Sequence, residues 1–297
     1  MPSPTSARSR PPQADRKLTT TQALVLGALQ GPAELLPISS SAHIGTASVL
    51  LGWRYGELEP ELRKAFEVAL HAGTALALLI SLRAPILDRR TALVVGPASA
   101  PPALAGYALE GQIERRLGSP ATVAAGLLAG SIAMTLADRC PERRRRCDAG
   151  VRDGLWLGLA QACALVPGIS RAGATRSAAR VLRFRRGDAS LLSEEVGLPV
   201  LAGAGLLKAV RLSRRGLEPQ LRPAFGAGIA ASFASTLACA AAVRRRRASE
   251  QLLPYAAYRV GLAAWVLIRL RRDSRPPREH PLHLHPEPGL ERPPPRT

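Results

Sequence analysis

Long blocks without charged residues constrain what this chain can fold into more than any other feature. Asp, Glu, Lys and Arg are all absent from residues 18–33, 91–109, 118–137, 154–170 and 223–243. Each block is about as long as a bilayer-crossing helix, which needs roughly 20 apolar residues. Two further apolar stretches, residues 68–82 and 251–268, carry one basic residue each, His71 and Arg259. The sequence therefore predicts an all-α polytopic membrane protein.

The positive charge of the chain is concentrated at the ends of these blocks. The formal net charge is +19, and arginines cluster within residues 143–146, 183–186 and 244–247. Such positions are typical of contacts with lipid headgroups, whereas a nucleic-acid-binding domain carries its arginines on a folded surface with interleaved aromatics. We therefore expect membrane lipid, and no nucleic acid, as a partner. The four cysteines have no metal-binding spacing and are interpreted as structural.

The two ends of the chain differ in composition from the apolar blocks. Residues 1–17 are polar and contain Pro and Arg, so no cleavable signal peptide is expected there. Residues 271–297 are rich in Pro, Arg and His, a composition typical of disordered extensions. We expect two disordered tails, residues 1–17 and 271–297, on either side of one membrane domain, residues 18–270.

Residues 18–53 predict a helix hairpin that does not cross the membrane. Residues 18–36 are expected to form a helix that Pro37 stops, and residues 44–53 a second helix with Ser40 as its N-cap. That second helix is about a dozen residues, or roughly 18 Å, which is too short to span a bilayer. We interpret the hairpin as re-entrant. Its bend would lie at bilayer depth, where polar backbone is tolerated only inside protein or beside a wet cavity.

Three spanning helices are predicted after the hairpin, at residues 66–82, 91–109 and 119–137. The second span contains Pro97, Pro101 and Pro102. Proline lacks the amide hydrogen that an interior helix position donates, and its ring clashes with the preceding turn. We therefore expect a broken helix in the second span.

The pattern of the hairpin then recurs in the second half of the chain. A Leu-Gly pair, a glutamine and a proline precede both bends, and the two glutamines are Gln30 and Gln161. We interpret the chain as two repeats, residues 18–137 and 154–270, each a re-entrant helix hairpin plus three transmembrane helices. An odd number of spans inverts the second copy, which brings the two bends together near the membrane midplane. The second hairpin and its spans are predicted at residues 154–184, 189–210, 223–243 and 252–270.

The first bend places polar side chains inside an apolar region. Gln30 and Glu34 are four residues apart and share one helix face. A carboxylate in a membrane segment usually marks function or a partnered structural ion. The serines that follow would alone more often form a cap, and the histidine a packing contact. Their proximity to Glu34 favours a functional site that includes Ser39, Ser40, Ser41 and His43.

The second bend supplies a positive charge. Pro167-Gly168 breaks the helix, and Ser170 can cap the next one. Arg171 and Thr175 lie on one face of that helix's first turn. A helix start with free N–H groups, a guanidinium and a hydroxyl is an anion site, although an arginine reaching the membrane interface is the alternative. The Pro-Gly break favours the anion site, and the two bends together predict a phosphate site beside lipid.

These two motifs resemble those of a known family. Gln30 and Glu34 form the pattern QxxxE and run into PISSSAH at residues 37–43, and PGISRAGAT follows at residues 167–175. The pair is similar to the motifs (E/Q)xxxE and PGxSRSxxT of the undecaprenyl-diphosphate phosphatases, also called bacitracin-resistance proteins. The likeness covers residues 18–270. Alanines replace the family's glycine before the histidine and its second serine after the arginine.

The resemblance implies a hydrolase of the cell membrane that removes the terminal phosphate of undecaprenyl diphosphate. The monophosphate carrier would return to cell-wall synthesis, and the activity would confer bacitracin resistance. It also implies assistance by a divalent cation, Mg²⁺ or Ca²⁺, and a polyprenyl diphosphate lipid as the substrate; whether the chain forms a homo-oligomer stays open. Carried over by position, the implied site residues are Gln30, Glu34, Ser39, Ser40, His43, Ser170, Arg171 and Thr175.

Roles for these residues follow as hypotheses. Arg171 and the two helix starts neutralise the terminal phosphoryl group. Glu34 either binds the divalent cation or acts as general base. Ser40 is the candidate nucleophile, activated by His43 or Glu34, and direct attack by water is the competing version. The alternative function is a flippase or transporter, which would hold a lipid phosphate at the same inverted-repeat site without cleaving it. Substrate binding is assigned to Gln30, Ser39, Ser170 and Thr175.

Overall fold

The computed structural model describes residues 18–82, 88–246 and 251–273. Within this part of the chain the protein is all-helical, and its one isolated β-bridge joins Arg144 to Phe184. Of the tails predicted at residues 1–17 and 271–297, residues 1–17 and 274–297 lie outside the described residues. The α-helices are α1 (Thr20–Leu35), α2 (Ser40–Leu50), α3 (Pro60–Leu82), α4 (Arg89–Leu117), α5 (Pro120–Asp138), α6 (Val151–Cys163), α7 (Arg171–Val181), α8 (Arg186–Arg215), α9 (Arg222–Arg246) and α10 (Leu253–Asp273).

Five stretches of helix are long and apolar enough to cross a membrane: Pro60–Ser81, Arg89–Leu109, Pro120–Asp138, Arg186–Leu207 and Pro219–Arg245. They correspond to five of the six predicted spans. The sixth, expected at residues 252–270, is helical but does not belong to this set, because α10 includes Arg259 and Arg269 among its apolar residues.

Helix α10 also extends further than expected. It ends at Asp273, so residues 271–273 are helical where a disordered tail was predicted. Arg271 and Arg272 lie in its last turn, where positive charge interacts favourably with the free carbonyl groups of the helix end.

Helix α4 is continuous through its three prolines, so the predicted break is wrong. Pro102 cannot donate to the carbonyl of Ala98, four residues earlier. Gln161 of α6 replaces this bond, because its Nε2 donates to the Ala98 oxygen at 3.1 Å. A side chain of a neighbouring helix therefore pairs with the carbonyl that Pro102 leaves without a donor. The local sequence of α4 could not indicate this contact.

Each of the two bends is closed by one residue with a positive φ. Ser39 has φ 79° in the first bend and Gly168 has φ 91° in the second. Glycine adopts such a conformation at little cost, whereas a residue with a Cβ pays on the order of 1–3 kcal/mol in this region. The first bend is thus held in a strained conformation by its surroundings.

Of the two helices that begin after the bends, one starts as predicted and the other does not. Ser170 caps α7 as predicted, and its Oγ accepts from the Gly173 N–H at 3.2 Å. Ser40 is not an N-cap, because α2 begins at Ser40 itself and Ser39 occupies the cap position. The Ser40 hydroxyl instead donates to the Glu34 carboxylate at the end of α1, so it does not cap α2.

Helix packing brings the two bends together. α1 lies against α9, and α6 lies against α4. Both contacts are close because they are made through glycines: the backbone of α9 leaves no room for a side chain at Gly31, and that of α4 leaves none at Gly154. The other large contacts join α3 with α8 and with α9, and α5 with α10. α7 contacts α1, α5 and α8, so the start of α7 lies beside the end of α1.

Candidate active site

The side chain of Glu34 is the centre of the polar cluster between the bends. It lies in the last turn of α1 and is 5% exposed. Arg171 Nε donates to Glu34 Oε1 at 3.0 Å, and Ser40 Oγ donates to Glu34 Oε2 at 2.9 Å. Arg171 is the first residue of α7 and Ser40 the first of α2, so two helix starts present their side chains to one carboxylate. The acid and the guanidinium that the sequence analysis expected to meet are in direct contact.

The guanidinium of Arg171 is anchored from the opposite side by α8. Its Nη1 donates to the Ser193 carbonyl at 3.0 Å, and it lies over Gly197, where any side chain would collide with it. The side chain of Arg171 is 13% exposed. It therefore has a fixed position and a restricted opening to the outside.

Thr175 and Ser170 are placed differently from the other predicted site residues. Thr175 is fully buried, and its Oγ1 lies 2.6 Å from Ser193 Oγ and 2.8 Å from the Arg171 carbonyl oxygen. Ser170 is 5% exposed and its Oγ caps α7. Both hydroxyls thus hold the start of α7 in place, and their role in substrate binding stays a prediction.

Gln30 and His71 surround the second oxygen of Glu34. Gln30 Nε2 lies 3.4 Å from Glu34 Oε2 and 3.0 Å from His71 Nδ1. His71 Nδ1 lies 3.4 Å from the same Glu34 oxygen. His71 is not among the site residues predicted from the sequence. Its one signal was a lone basic residue in an otherwise apolar block.

His43 does not contact Glu34 or Ser40, because other groups hold both of its ring nitrogens. Nδ1 lies 2.7 Å from the Ser39 carbonyl oxygen, and Nε2 lies 2.7 Å from the Tyr258 hydroxyl. A carbonyl can only accept, so Nδ1 carries the hydrogen, and in the neutral ring Nε2 accepts from Tyr258. Of the two groups considered as activators of Ser40, Glu34 is the one that touches it.

Ser39 takes part mainly through its backbone. Its carbonyl accepts from His43, and its Oγ lies 3.3 Å from Ser41 Oγ. The side chain of Ser39 is buried, whereas Ser41 is exposed. The contact with His43 fixes the strained bend that carries Ser40 into place beside Glu34.

A fully buried arginine from α10 joins the two bends. The guanidinium of Arg259 donates to the carbonyl of Pro37 at 3.3 Å and to that of Gly168 at 3.1 Å. It also donates to two carbonyls of α5, at Gly126 and Leu127. Free carbonyls at the bends are thereby satisfied within the protein, as buried backbone requires.

The two bends and the helices that hold them lie inside a region that matches one family. The sequence model described as "Bacitracin resistance protein BacA" matches residues 23–265. The chain belongs to this family. With five helices able to span a bilayer, it is a multi-pass membrane protein. The resemblance in the two motifs is thus confirmed over most of the chain.

Several relatives are similar over nearly their whole length. An undecaprenyl-diphosphatase of Geobacter sulfurreducens is 39% identical over 268 residues, which cover 84% of this chain and 97% of the relative. The undecaprenyl-diphosphatase of Thermomicrobium roseum is 38% identical and covers 83% of this chain and 96% of its own length. That of Pelobacter propionicus is 36% identical, with 80% and 92% covered.

Proposed function

We propose that this chain hydrolyses undecaprenyl diphosphate to undecaprenyl phosphate and inorganic phosphate in the cell membrane. The reaction would recycle the lipid carrier for cell-wall synthesis and confer bacitracin resistance. One observation carries the proposal: a guanidinium and a hydroxyl, from two helix starts, contact the two oxygens of one buried carboxylate. The relatives named undecaprenyl-diphosphatase support the same substrate class.

Arg171 supplies the charge that phosphoryl transfer needs. Its Nε is held by Glu34 and its Nη1 by the Ser193 carbonyl. Phosphoryl transfer depends mainly on positioning and on stabilising charge at the equatorial oxygens, and a guanidinium is well suited to phosphate geometry. We assign Arg171 to the terminal phosphoryl group, while the prenyl chain stays in lipid.

Ser40 is the nucleophile in the version that the contacts favour. Its hydroxyl proton passes to Glu34 Oε2, with which it is already hydrogen-bonded at 2.9 Å. The serine oxygen bonds to the terminal phosphorus as the bond to the bridging oxygen breaks, and undecaprenyl phosphate leaves. Water then hydrolyses the phosphoserine and releases inorganic phosphate. In the competing version Glu34 takes the proton from water, and trapping a phosphoserine at Ser40 separates the two.

A divalent cation, Mg²⁺ or Ca²⁺, is part of the proposal. Among the described residues no three His, Cys, Asp or Glu side chains form a cluster that could hold a metal ion. Glu34 is the carboxylate that contacts Arg171 and Ser40, and such ions are often held by one or two carboxylates together with substrate phosphates. Glu34 fits this role as the alternative to acting as general base, and the bound cation would neutralise charge on the diphosphate.

An inverted repeat accounts for the way the helices pair. In the two proposed copies α1 corresponds to α6, α3 to α8, α4 to α9 and α5 to α10. The contacts α1 with α9 and α6 with α4 are then equivalent, and α3 with α8 and α5 with α10 each join a helix to its own counterpart. We propose that α1–α2 and α6–α7 are re-entrant hairpins that enter from opposite faces.

The test is phosphate release from undecaprenyl diphosphate by the purified protein in detergent or lipid. We expect Glu34→Gln and Arg171→Ala each to lower turnover about 100-fold or more, as loss of one preorganised charge or base does elsewhere. Glu59→Gln and Arg152→Ala change exposed residues of the same types and should leave turnover unchanged. Binding of the lipid without any release would instead support a flippase, and full release by both site variants would refute the assignment of the site.

A further inference from the structure

Three potential metal-ligating side chains converge beside Ser40. Gln30 Nε2, Glu34 Oε2 and His71 Nδ1 form a triangle with sides of 3.0, 3.4 and 3.4 Å. Gln30 and Glu34 come from α1, whereas His71 comes from α3. Three polar atoms from two helices thus lie within contact distance of one another. The proposed function places a cation on the Glu34 carboxylate, which is one corner of this triangle.

The spacing of these atoms matches a metal coordination sphere. Ligands about 2.1 Å from one ion are about 3.0 Å apart when adjacent in an octahedron and about 3.4 Å apart in a tetrahedron. All three sides of the triangle fall in this interval. One ion can therefore contact all three positions without displacement of either helix, provided that Gln30 Oε1 takes the place of Nε2.

The hydrogen bonds of Gln30 leave its own carbonyl oxygen unpaired. Gln30 is fully buried, and its Oε1 has no hydrogen-bond partner among the described residues. A buried acceptor without a partner costs about 1–3 kcal/mol. Rotation of the amide about its last bond exchanges Oε1 with Nε2 and brings the oxygen to the triangle. A bond from Oε1 to a cation would then replace the two contacts that Nε2 makes.

We propose that Gln30, Glu34 and His71 form a divalent cation site that prefers a transition-metal ion such as Co²⁺ or Zn²⁺ to Mg²⁺ or Ca²⁺. Imidazole nitrogen suits the borderline transition metals, whereas Mg²⁺ and Ca²⁺ prefer oxygen ligands. The His71 side chain is 27% exposed, so the triangle is accessible from one side. Ser40, which is 2.9 Å from the shared Glu34 oxygen, lies next to it. A catalytic role for the ion rests on the proposed function, but its binding does not.

Binding of Co²⁺ alone tests the site, because Co²⁺ absorbs visible light according to its ligands. The full chain contains five histidines, three of them in the C-terminal tail, at positions 280, 283 and 285. Those three should be replaced with alanine in every sample, and no histidine tag should remain. The parent is expected to show a saturable absorption band, and an excess of Zn²⁺ should remove it at a far lower concentration than Mg²⁺.

Matched variants decide which residues hold the ion. His71→Gln keeps a polar side chain of similar size and should weaken Co²⁺ binding at least about tenfold, since even outer-shell changes cost 10–100-fold. Glu34→Gln should do the same, and Gln30→Met offers a further variant of equal length. His43→Gln removes the other remaining imidazole, which Ser39 and Tyr258 hold, and should leave binding as in the parent.

The outcomes separate this inference from the proposed function. Equal Co²⁺ binding by the parent and His71→Gln, in samples of equal helix content, would overturn the inference. Equal weakening by His43→Gln and His71→Gln would overturn it as well. If the parent releases phosphate with Mg²⁺ while Co²⁺ binding does not depend on His71, only this inference fails. If no metal supports phosphate release but binding depends on His71 and Glu34, only the proposed function fails.

Discussion

The imidazole of His43 holds the first bend in shape. Its Nδ1–H binds the carbonyl of Ser39, the residue with the positive φ, and Tyr258 stacks on its ring with centroids 5.5 Å apart. The Ser39 carbonyl, which can only accept, fixes the hydrogen on Nδ1, and the hydroxyl of Tyr258 then donates to Nε2. The sequence suggested His43 as an activator of Ser40. No hydrogen bond joins His43 to Ser40, so that role stays a prediction, and the contacts of His43 hold the bend on which Ser40 lies.

Tyr258→Phe removes one hydroxyl from this arrangement. We expect phosphate release to fall up to about tenfold, since a net hydrogen bond of about 1 kcal/mol holds the bend, while KM changes little. The Nε2 resonance of His43 in nitrogen-detected NMR should shift, because Nε2 loses the hydrogen bond from Tyr258. Tyr107→Phe, at a residue that is 90% exposed on α4, serves as the control. Unchanged release together with unchanged His43 resonances would contradict this role.

Among the helices, α6 is anchored at both ends by side-chain hydrogen bonds. Near its C-terminal end Gln161 donates to α4, and glycines allow its close approach to that helix. At its start, the carboxylate of Asp153 accepts from Arg144 Nη1 at 2.7 Å and Nη2 at 2.8 Å, and from the Gly150 N–H at 2.9 Å. The helix that leads into the second bend is thereby held in place on both sides.

Gly158→Ala tests the close approach of α6 to α4. A Cβ at this position would lie 2.8 Å from the Ala98 carbonyl oxygen and 2.9 Å from Pro101. Overpacking of this kind costs about 1–3 kcal/mol, so we expect a lower thermal unfolding temperature in detergent. Gly203→Ala is the control, because nothing lies within 4 Å of a Cβ there and the substitution favours helix. Equal unfolding temperatures for both variants would argue against tight packing at this contact.

The pair Asp153–Arg144 predicts a pH dependence of stability. Burial raises the pKa of the Asp153 carboxyl, but the hydrogen bonds from Arg144 and Gly150 outweigh it, and the pKa is lowered overall. A depressed folded-state pKa gives stability that is complete above the unfolded pKa of about 3.9 and is lost as the pH falls through the folded pKa. The pair therefore stabilises the protein at neutral pH and loses this effect in acid.

We expect Asp153→Asn to destabilise the protein by about 1–2 kcal/mol at pH 7, allowing for the partial exposure of Arg144. The difference in unfolding temperature between parent and variant should shrink as the pH is lowered below about 4. Asp188→Asn, in the first turn of α8, is the control for loss of a negative charge at a helix start. A difference that stays constant down to pH 3 would show that the carboxylate charge is not responsible.

On the scale of the whole molecule, the two halves are joined at the bends by buried arginines. Arg259 bridges the carbonyls of both bends, and Arg176 Nη2 donates to the Leu35 carbonyl at the end of α1 at 2.8 Å. Each arginine contacts backbone far from it in the chain. The polar cluster of Glu34, Ser40 and Arg171 therefore forms only when both halves are folded together.

The proposed inverted repeat predicts that both chain ends lie on one side of the membrane. Six crossings require α10 to span the bilayer, whereas five crossings would put the two chain ends on opposite sides of the membrane. In a background without the four native cysteines, Ser3→Cys and Ser274→Cys, which lie outside the described residues, can be labelled with a membrane-impermeant maleimide in intact cells. We expect both positions to react or both to be protected. Opposite behaviour would exclude the six-span arrangement.

The sequence alone determined the helical class, most of the apolar spans, the positions of the two bends and the residues Glu34, Ser40 and Arg171. These features depend on local properties: uncharged length, proline at a helix end and a charge inside an apolar stretch. The tertiary structure decided that Glu34 contacts Arg171, which is 137 residues away in the chain, and that His71 rather than His43 is the imidazole beside it. It also decided that α4 stays continuous, because a side chain from α6 replaces a lost bond. Such outcomes depend on which distant groups packing brings within hydrogen-bond range, and no local pattern contains that information.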